Sequence, residues 1–257
     1  MLFDTHLHTC FSTDSEMTLD ELKKEMSQQN YGAIITEHMD LHYPVSGKFT
    51  FSIDDYFSLY GPYRNKALLL GIEIGLRQDS LAEYNQVVRE SPFDFVLGSI
   101  HVVDQHDLFY PPYYEGRSKQ EAYERYFRTM IDCVKAYDFV DSLGHIDYIA
   151  RYAPYADPEI YYHDFSDVIQ ELLTVVVQKD IALEINTRRF DDRQVMEHLL
   201  PIYQKFHDLG GKYVTLGSDA HRPTAVANHL QDAWQLAQRC SLQAVYYQGR
   251  QRMMLTE

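Results

Sequence analysis

Six of the chain's 12 histidines stand at or just beyond the carboxyl end of a short apolar run: His6 and His8, His38, His101, His145 and His221. Glu73 ends another such run, and Asp219 follows the last one. Neutral imidazoles joined by a few carboxylates are donors for zinc, manganese or iron rather than for the all-oxygen cages of calcium or magnesium. The spacing of two in His6-Leu-His8 sends both side chains off the same side of a strand end. Gly98-Ser-Ile-His101, Gly144-His145 and Gly217-Ser-Asp-Ala-His221 put a glycine where the backbone turns away from its strand. A single loop histidine is ordinarily just solvated or hydrogen-bonded. Eight ligand-type groups gathered without a cation would cost on the order of several kcal/mol in desolvation and like-charge repulsion. A metal site is therefore expected. Of the other histidines, His163, His198, His207 and His229 fall in helix-like stretches and His106 in a polar loop, whereas His42 stands four residues past His38, at the rim of the expected site.

Such a gathering requires elements that bring residues 6 to 221 to one place. Strand candidates are Leu2 to His6, Ala33 to Thr36, Leu68 to Glu73, Phe93 to Ser99, Phe139 to Gly144, Ile181 to Asn186 and Tyr213 to Ser218. Helix-period stretches lie between them. Three open on a capping box, Thr18/Glu21, Ser80/Glu83 and Ser118/Glu121, in which a hydroxyl and a glutamate satisfy free amides at the helix start. Seven strands alternating with helices imply an α/β protein with a parallel sheet. At this length a (β/α) barrel is favoured, distorted because it has seven strands rather than eight. One domain over residues 1–257 is expected, with a doubly wound open sheet as the alternative. In a barrel the carboxyl ends of the strands share one face, which explains how scattered residues become neighbours.

Composition narrows the partners. The 257 residues are 45% hydrophobic and 24% charged, ordinary for a globular chain, and acidic residues outnumber basic ones 38 to 23 for a formal charge of −15. That field repels phosphate backbones and argues against nucleic acid. No apolar run is long enough to span a membrane, and no basic-then-apolar leader precedes Asp4 and His6. Cys10, Cys133 and Cys240 are far apart, so a reducing cytoplasm is the expected setting. No cysteine-phosphatase loop, G-x-x-x-x-G-K-[ST] or G-x-S-x-G occurs. The loop Tyr110 to Arg117 is aromatic and reads as packed.

The ordered pieces Asp4-Thr-His6-Leu-His8-Thr, Thr36-Glu-His38, Gly71-Ile-Glu73, Gly98-Ser-Ile-His101, Gly144-His145-Ile-Asp147 and Gly217-Ser-Asp219-Ala-His221 resemble those of the PHP superfamily (polymerase and histidinol phosphatase). Phe11-Ser-Thr-Asp14-Ser, Glu37-His-Met-Asp-Leu-His-Tyr-Pro44, Asp147-Tyr-Ile-Ala-Arg151-Tyr and Glu184-Ile-Asn-Thr187 are similar to the stand-alone histidinol-phosphate phosphatases of that superfamily. The resemblance implies a distorted seven-stranded barrel holding three divalent transition-metal ions (zinc, manganese or iron). By the same resemblance His6, His8, Glu73 and Asp219 bind the first ion. Glu73 bridges to a second, completed by His101 and His145, and Asp14, His38 and His221 bind the third. Glu37, where relatives more often have aspartate, is given no metal.

The implied reaction is hydrolysis of L-histidinol phosphate to L-histidinol and phosphate in histidine biosynthesis, by a metal-bridging hydroxide with no protein nucleophile. Uncatalysed monoester hydrolysis is so slow that the barrier must fall by more than ~20 kcal/mol. A phosphate also needs cations in this acidic chain. Arg151, Arg188 and Arg189, with Asn186 and His42, are the substrate-binding candidates, since a guanidinium grips two phosphate oxygens at once. The loop Asn186-Thr-Arg188-Arg189-Phe190 departs from the commoner Asn-Thr-Ser-Gly-Leu-Arg, which leaves both arginines open as the inward one. The expected partner is a small-molecule phosphate ester, with no nucleic acid, membrane or obligate protein partner. A phosphotyrosine phosphatase, a phosphodiesterase or nuclease, and a non-catalytic metal domain are the alternatives.

Overall fold

The structure, a computed structural model, describes residues 1–255. Its first four strands are β1 (Phe3–Leu7), β2 (Gly32–Met39), β3 (Leu68–Gly75) and β4 (Val96–Ser99). A two-stranded ribbon follows, β5 (Val102–Val103) and β6 (His106–Asp107), and then β7 (Ser142–Leu143), β8 (Ala182–Asn186) and β9 (Tyr213–Gly217). All seven expected strands are present, in the order β1-β2-β3-β4-β7-β8-β9, with every neighbouring pair parallel. All eight residues of β2 and of β3 are buried, the near-continuous apolar pattern of strands covered on both faces.

Helices α1 (Leu19–Gln29), α2 (Ile53–Tyr60), α3 (Leu81–Glu90), α4 (Lys119–Ala136), α5 (Ser166–Gln178), α6 (Arg193–Asp208) and α7 (Leu230–Arg239) form the crossovers. Thr18 and Ser118 close the capping boxes expected of them with Glu21 and Glu121. The third box does not form. A 3-10 turn over Gln78–Ser80 precedes α3, the Ser80 hydroxyl donates to Asp79, and Glu83 turns to His42 at 2.6 Å.

The sequence reading missed a C-terminal hairpin, β10 (Gln243–Gln248) and β11 (Gln251–Met254), joined through Gly249 and Arg250, both at positive φ. Strand β10 continues the parallel run beside β9, through Tyr213 and Val214. Closure is split along β9. Its lower half pairs with β10, while the segment just past its end returns to β1: the Asp219 amide donates to the His6 carbonyl at 2.7 Å, and the His8 amide to the Ala220 carbonyl at 2.8 Å. Phe3 stacks on Tyr246 at 4.0 Å, packing β10 against β1 below that junction. The distorted barrel is thus stitched shut at the end where the histidines lie. No helix among the described residues is long and apolar enough to cross a membrane.

Candidate active site

Each strand delivers its donors where its ladder ends. β1 carries His6 and releases His8 one residue beyond Leu7, β2 ends with His38 and Met39, and β3 places Glu73 opposite His38 in register. His101 and His145 stand two residues past β4 and β7, and Asp219 and His221 follow β9. Asp219 has φ +54, left-handed backbone that aspartate tolerates better than most non-glycine residues but still at some cost. The two strand-closing hydrogen bonds on either side of it hold it there.

The side chains converge as the spacing predicts. His101 Nε2, His145 Nε2 and Glu73 Oε1 are mutually 3.0 to 3.4 Å apart. His6 Nε2 lies 3.0 Å from His8 Nε2, and the two are 3.3 and 3.5 Å from Glu73 Oε2 and 3.7 and 3.6 Å from Asp219 Oδ1. Asp14 lies 3.2 Å from His221 Nε2 and 3.8 Å from His38 Nε2. Donors bound tetrahedrally at ~2.0–2.1 Å would be about 3.3 Å from one another, so these separations suit the edges of metal coordination shells. His38 Nδ1 and Glu73 Oε2 make the same point. They are buried and 2.8 Å apart, yet no hydrogen bond satisfies either atom. Groups His8–His38–His221, His6–His145–Asp219, His6–His8–Glu73 and His38–Glu73–His101 each have donor atoms close enough to share one cation.

A second layer of acids holds the imidazoles. Glu184, fully buried on β8, lies 2.7 Å from His6 Nδ1 and accepts the His145 amide at 2.6 Å. Asp40 lies 3.0 Å from His101 Nδ1. The Ser12 hydroxyl donates to Glu37 at 2.5 Å, which leaves its oxygen to accept from His8 Nδ1 at 3.1 Å and from the His38 amide at 3.0 Å. The contacts to Nδ1 of His6, His101 and His8 place the proton on that outer nitrogen and aim the inner lone pair at the cluster, while those to the His145 and His38 amides fix the backbone. Two glycines make room, since a Cβ at Gly75 would overlap the Asp40 carboxylate and one at Gly217 the Glu184 carboxylate.

The electrostatics follow from this packing. Burial would raise the Glu73 carboxyl, but His6, His101 and His38 outweigh it and hold Glu73 well below the usual carboxylate range. Burial is likewise overridden at Asp219 by Arg151 and His6, and at Asp14 by His221 and His38. Burial, then the charges of His38 and His221, pushes His8 well down, and burial also lowers His145. Both are thereby kept in the neutral form that offers a lone pair to a metal. His6 and His101 shift the other way: despite burial, Glu73 and Glu184 raise His6, and Asp40 and Glu73 raise His101.

A cavity of about 520 Å³ opens on the cluster, lined by His38, His101, His145, Asp14, Asp219 and His221 and by the guanidiniums of Arg151, Arg188 and Arg222. Arg151 donates to Asp219 at 2.5 Å and to Asn186 at 2.8 Å, and it lies over the Tyr148 ring. Arg188 donates to the Asp219 carbonyl. Arg189 faces away from the cavity into an ion-paired group with Asp147 (3.1 Å) and Glu159. Buried Asn186 braces Arg151 and the Arg188 amide without lining the cavity. His42, half exposed, is paired with Glu83 and does not line it either. Arg222 was overlooked for lack of any motif. Glu184 and Asp40 were not assigned to the site, because an acid inside an apolar run carries no sign of which nitrogen it will face.

A PHP domain family profile matches residues 4–188. A probable histidinol-phosphatase of Clostridium acetobutylicum is 45% identical over 250 residues, covering 97% of this chain and 98% of the relative. A histidinol-phosphatase of Lactococcus lactis is 32% identical over 225 residues, covering 85% and 83%. The crystal structure of a Lactococcus lactis histidinol phosphate phosphatase in complex with zinc, L-histidinol and phosphate superposes with a TM-score of 0.90 at 29% identity, covering 98% of each chain. The donor cluster at the strand ends, the family match and these full-length relatives agree: the chain belongs to the PHP domain family, alongside the histidinol-phosphatases.

Proposed function

We propose that the chain is a metal-dependent phosphomonoesterase that hydrolyses L-histidinol phosphate to L-histidinol and phosphate. The observation that carries this reading is the convergence of nine imidazole and carboxylate groups at metal-like separations, six of them on the wall of a cavity that Arg151, Arg188 and Arg222 also line. A structural zinc site is usually closed by four ligands; this cluster is larger and open. Relatives across nearly the whole chain carry the histidinol-phosphatase name, and one holds zinc, L-histidinol and phosphate.

In this reading His6, His8, Glu73 and Asp219 hold one divalent ion, Glu73, His101 and His145 a second, and Asp14, His38 and His221 a third, with zinc, manganese or iron as the suitable metals. Bound there, the ions supply an acidified water and Lewis-acid neutralisation of the phosphoryl oxygens. The chain's own residues do the rest. Arg151, fixed by Asp219 and Asn186, presents a preset fork to the phosphate, and Arg188 adds a second charge beside His221. Glu184, Asp40 and Ser12 keep the imidazoles from rotating. The net charge of −15 supports a small ester over a polyanionic nucleic acid.

Phosphate release from histidinol phosphate, p-nitrophenyl phosphate and a dinucleotide, before and after chelation, tests the reading. Chelator-sensitive release, fastest with histidinol phosphate, is expected. Equal activity on the dinucleotide, or activity untouched by chelation, would overturn it.

A further inference from the structure

Arg222 is an uncommitted cation beside the metal cluster. It follows His221 in the segment after β9, with extended backbone (φ −146, ψ 149) pinned where its carbonyl accepts the Ala225 amide at 3.0 Å. Its side chain makes no hydrogen bond or ion pair with any other described residue. The neighbouring arginines are engaged: Arg151 donates to Asp219 and Asn186, and Arg188 to the Asp219 carbonyl. Arg222 is exposed, so standing alone costs it little, and its whole set of donors is kept for a ligand.

The place of Arg222 says which ligand. With Arg188 and His221 it lines two cavities, the one of about 520 Å³ over the cluster and a smaller one of about 200 Å³ beside it. The smaller cavity has a single acid outside the cluster, Asp191, and His229 engages it at 2.9 Å. The Thr187 hydroxyl donates to the Asn228 carbonyl, and the Ser218 hydroxyl to Asp4. Left over are the guanidinium of Arg222, the remaining N–H groups of Arg188 and the hydroxyl of Thr224. Two guanidinium forks and a hydroxyl, with no free acid to oppose them, suit a tetrahedral oxyanion. The cavity is smaller than the ~300 Å³ at which pockets for larger organic ligands begin, so the anion is a small one. Phosphate, the product of ester hydrolysis next door, has the right charge, shape and size.

We propose that this side cavity is a second site for inorganic phosphate, off the metals, and that phosphate bound there draws Arg188 away from the substrate. The product then inhibits at two places, on the metals by competition and beside them by taking a guanidinium that the ester needs. The inhibition rests on the phosphomonoesterase reading above, whereas the binding can be read with inorganic phosphate alone.

Calorimetric titration of inorganic phosphate into the metal-loaded enzyme should show two equivalents bound. Thr224 lines only the side cavity. Thr224→Asp sets a negative charge in it and should weaken one equivalent at least about tenfold while sparing the other. Arg222→Ala should weaken both, the same equivalent more than its partner. In steady-state hydrolysis of histidinol phosphate, double-reciprocal slopes should curve upward with phosphate in wild type, the mark of two inhibitor molecules on one enzyme. They should rise linearly in Thr224→Asp. A single equivalent in wild type would overturn the proposal, as would a second equivalent untouched by both substitutions, or slopes that are already linear in wild type. Failure of the substrate reading looks different: two equivalents of phosphate would still bind, and histidinol phosphate would not be hydrolysed.

Discussion

Glu184→Gln isolates the layer behind the metal donors. The substitution keeps the shape of the side chain, so its packing against Gly217 survives, but it removes the charge that faces His6 Nδ1 at 2.7 Å and accepts the His145 amide at 2.6 Å. A hydrogen bond to a charged group is worth about 1.5–3 kcal/mol, and only the His6 contact need lose its charge assistance, because an amide oxygen still serves His145. The expected cost is therefore about 1.4–2.8 kcal/mol of metal affinity, or 10- to 100-fold, the usual range for a carboxylate behind a ligating histidine. Zinc competition against a chromophoric chelator reads this directly, with circular dichroism as the check on folding. Turnover at saturating zinc should recover most of its wild-type value, since the primary donors remain. Wild-type zinc affinity in a properly folded variant would refute the reasoning, because it would mean that the buried acid does nothing to orient or charge His6.

Three further outcomes are expected. His101→Ala and Asp219→Asn should each lose at least ~100-fold in turnover with the fold intact, because each removes a cluster donor; near-normal rates in both would remove the metal mechanism. Gly75→Ala should drive Asp40 from its place behind His101, weakening zinc binding, and a crystal structure with Asp40 unmoved would contradict it. At His229, burial lowers the imidazole's affinity for protons, but hydrogen bonds to Asp191 and Asp232 override it and raise the imidazole above its ordinary value. Its contribution is thus complete below the unfolded value near ~6.5 and fades as pH rises through the higher folded value. The stability gap between wild type and His229→Asn, at most about 1 kcal/mol for such a partly exposed pair and followed through Tm, should shrink between pH 6 and pH 9, and a gap that widens would reverse the argument.

Eight of the nine expected donors carry two independent signals, a residue type suited to metal and a position at a strand exit, whereas Asp14, in the loop seven residues past β1, rests on the family resemblance alone. The barrel supplies the rest by geometry, which is why His6 and His221 could be placed together from the order of elements alone. Where only one signal was present, the reading failed. Ser80 and Glu83 have the right spacing for a capping box, but neighbouring Asp79 and His42 compete for their side chains and win. His42 has the right type, yet it points to the surface. Arg188 and Arg189 are adjacent, and only packing against Asp147 and Glu159 turns the second away. Asp40 and Glu184 were missed as site residues because their importance lies in which imidazole they face across the sheet. The hairpin of β10 and β11 showed an apolar core in Ala244 to Tyr247 and a turn at Gly249, but the regular alternation of strand and helix had already accounted for the sheet.

The seam between β1 and the end of β9 also sets an order of events during synthesis. The hydroxyl of Thr5 donates to the carbonyl of Leu216, 211 positions away, and Asp4 binds the amide and hydroxyl of Ser218. At about 5–20 residues per second on the ribosome, His6 and His8 emerge some 10–40 s before Asp219, whose carboxylate lies 3.7 and 3.6 Å from them in the finished fold. Until then the two imidazoles face an unfinished sheet, and the full set of donors gathers only once the segment after β9 has joined β1.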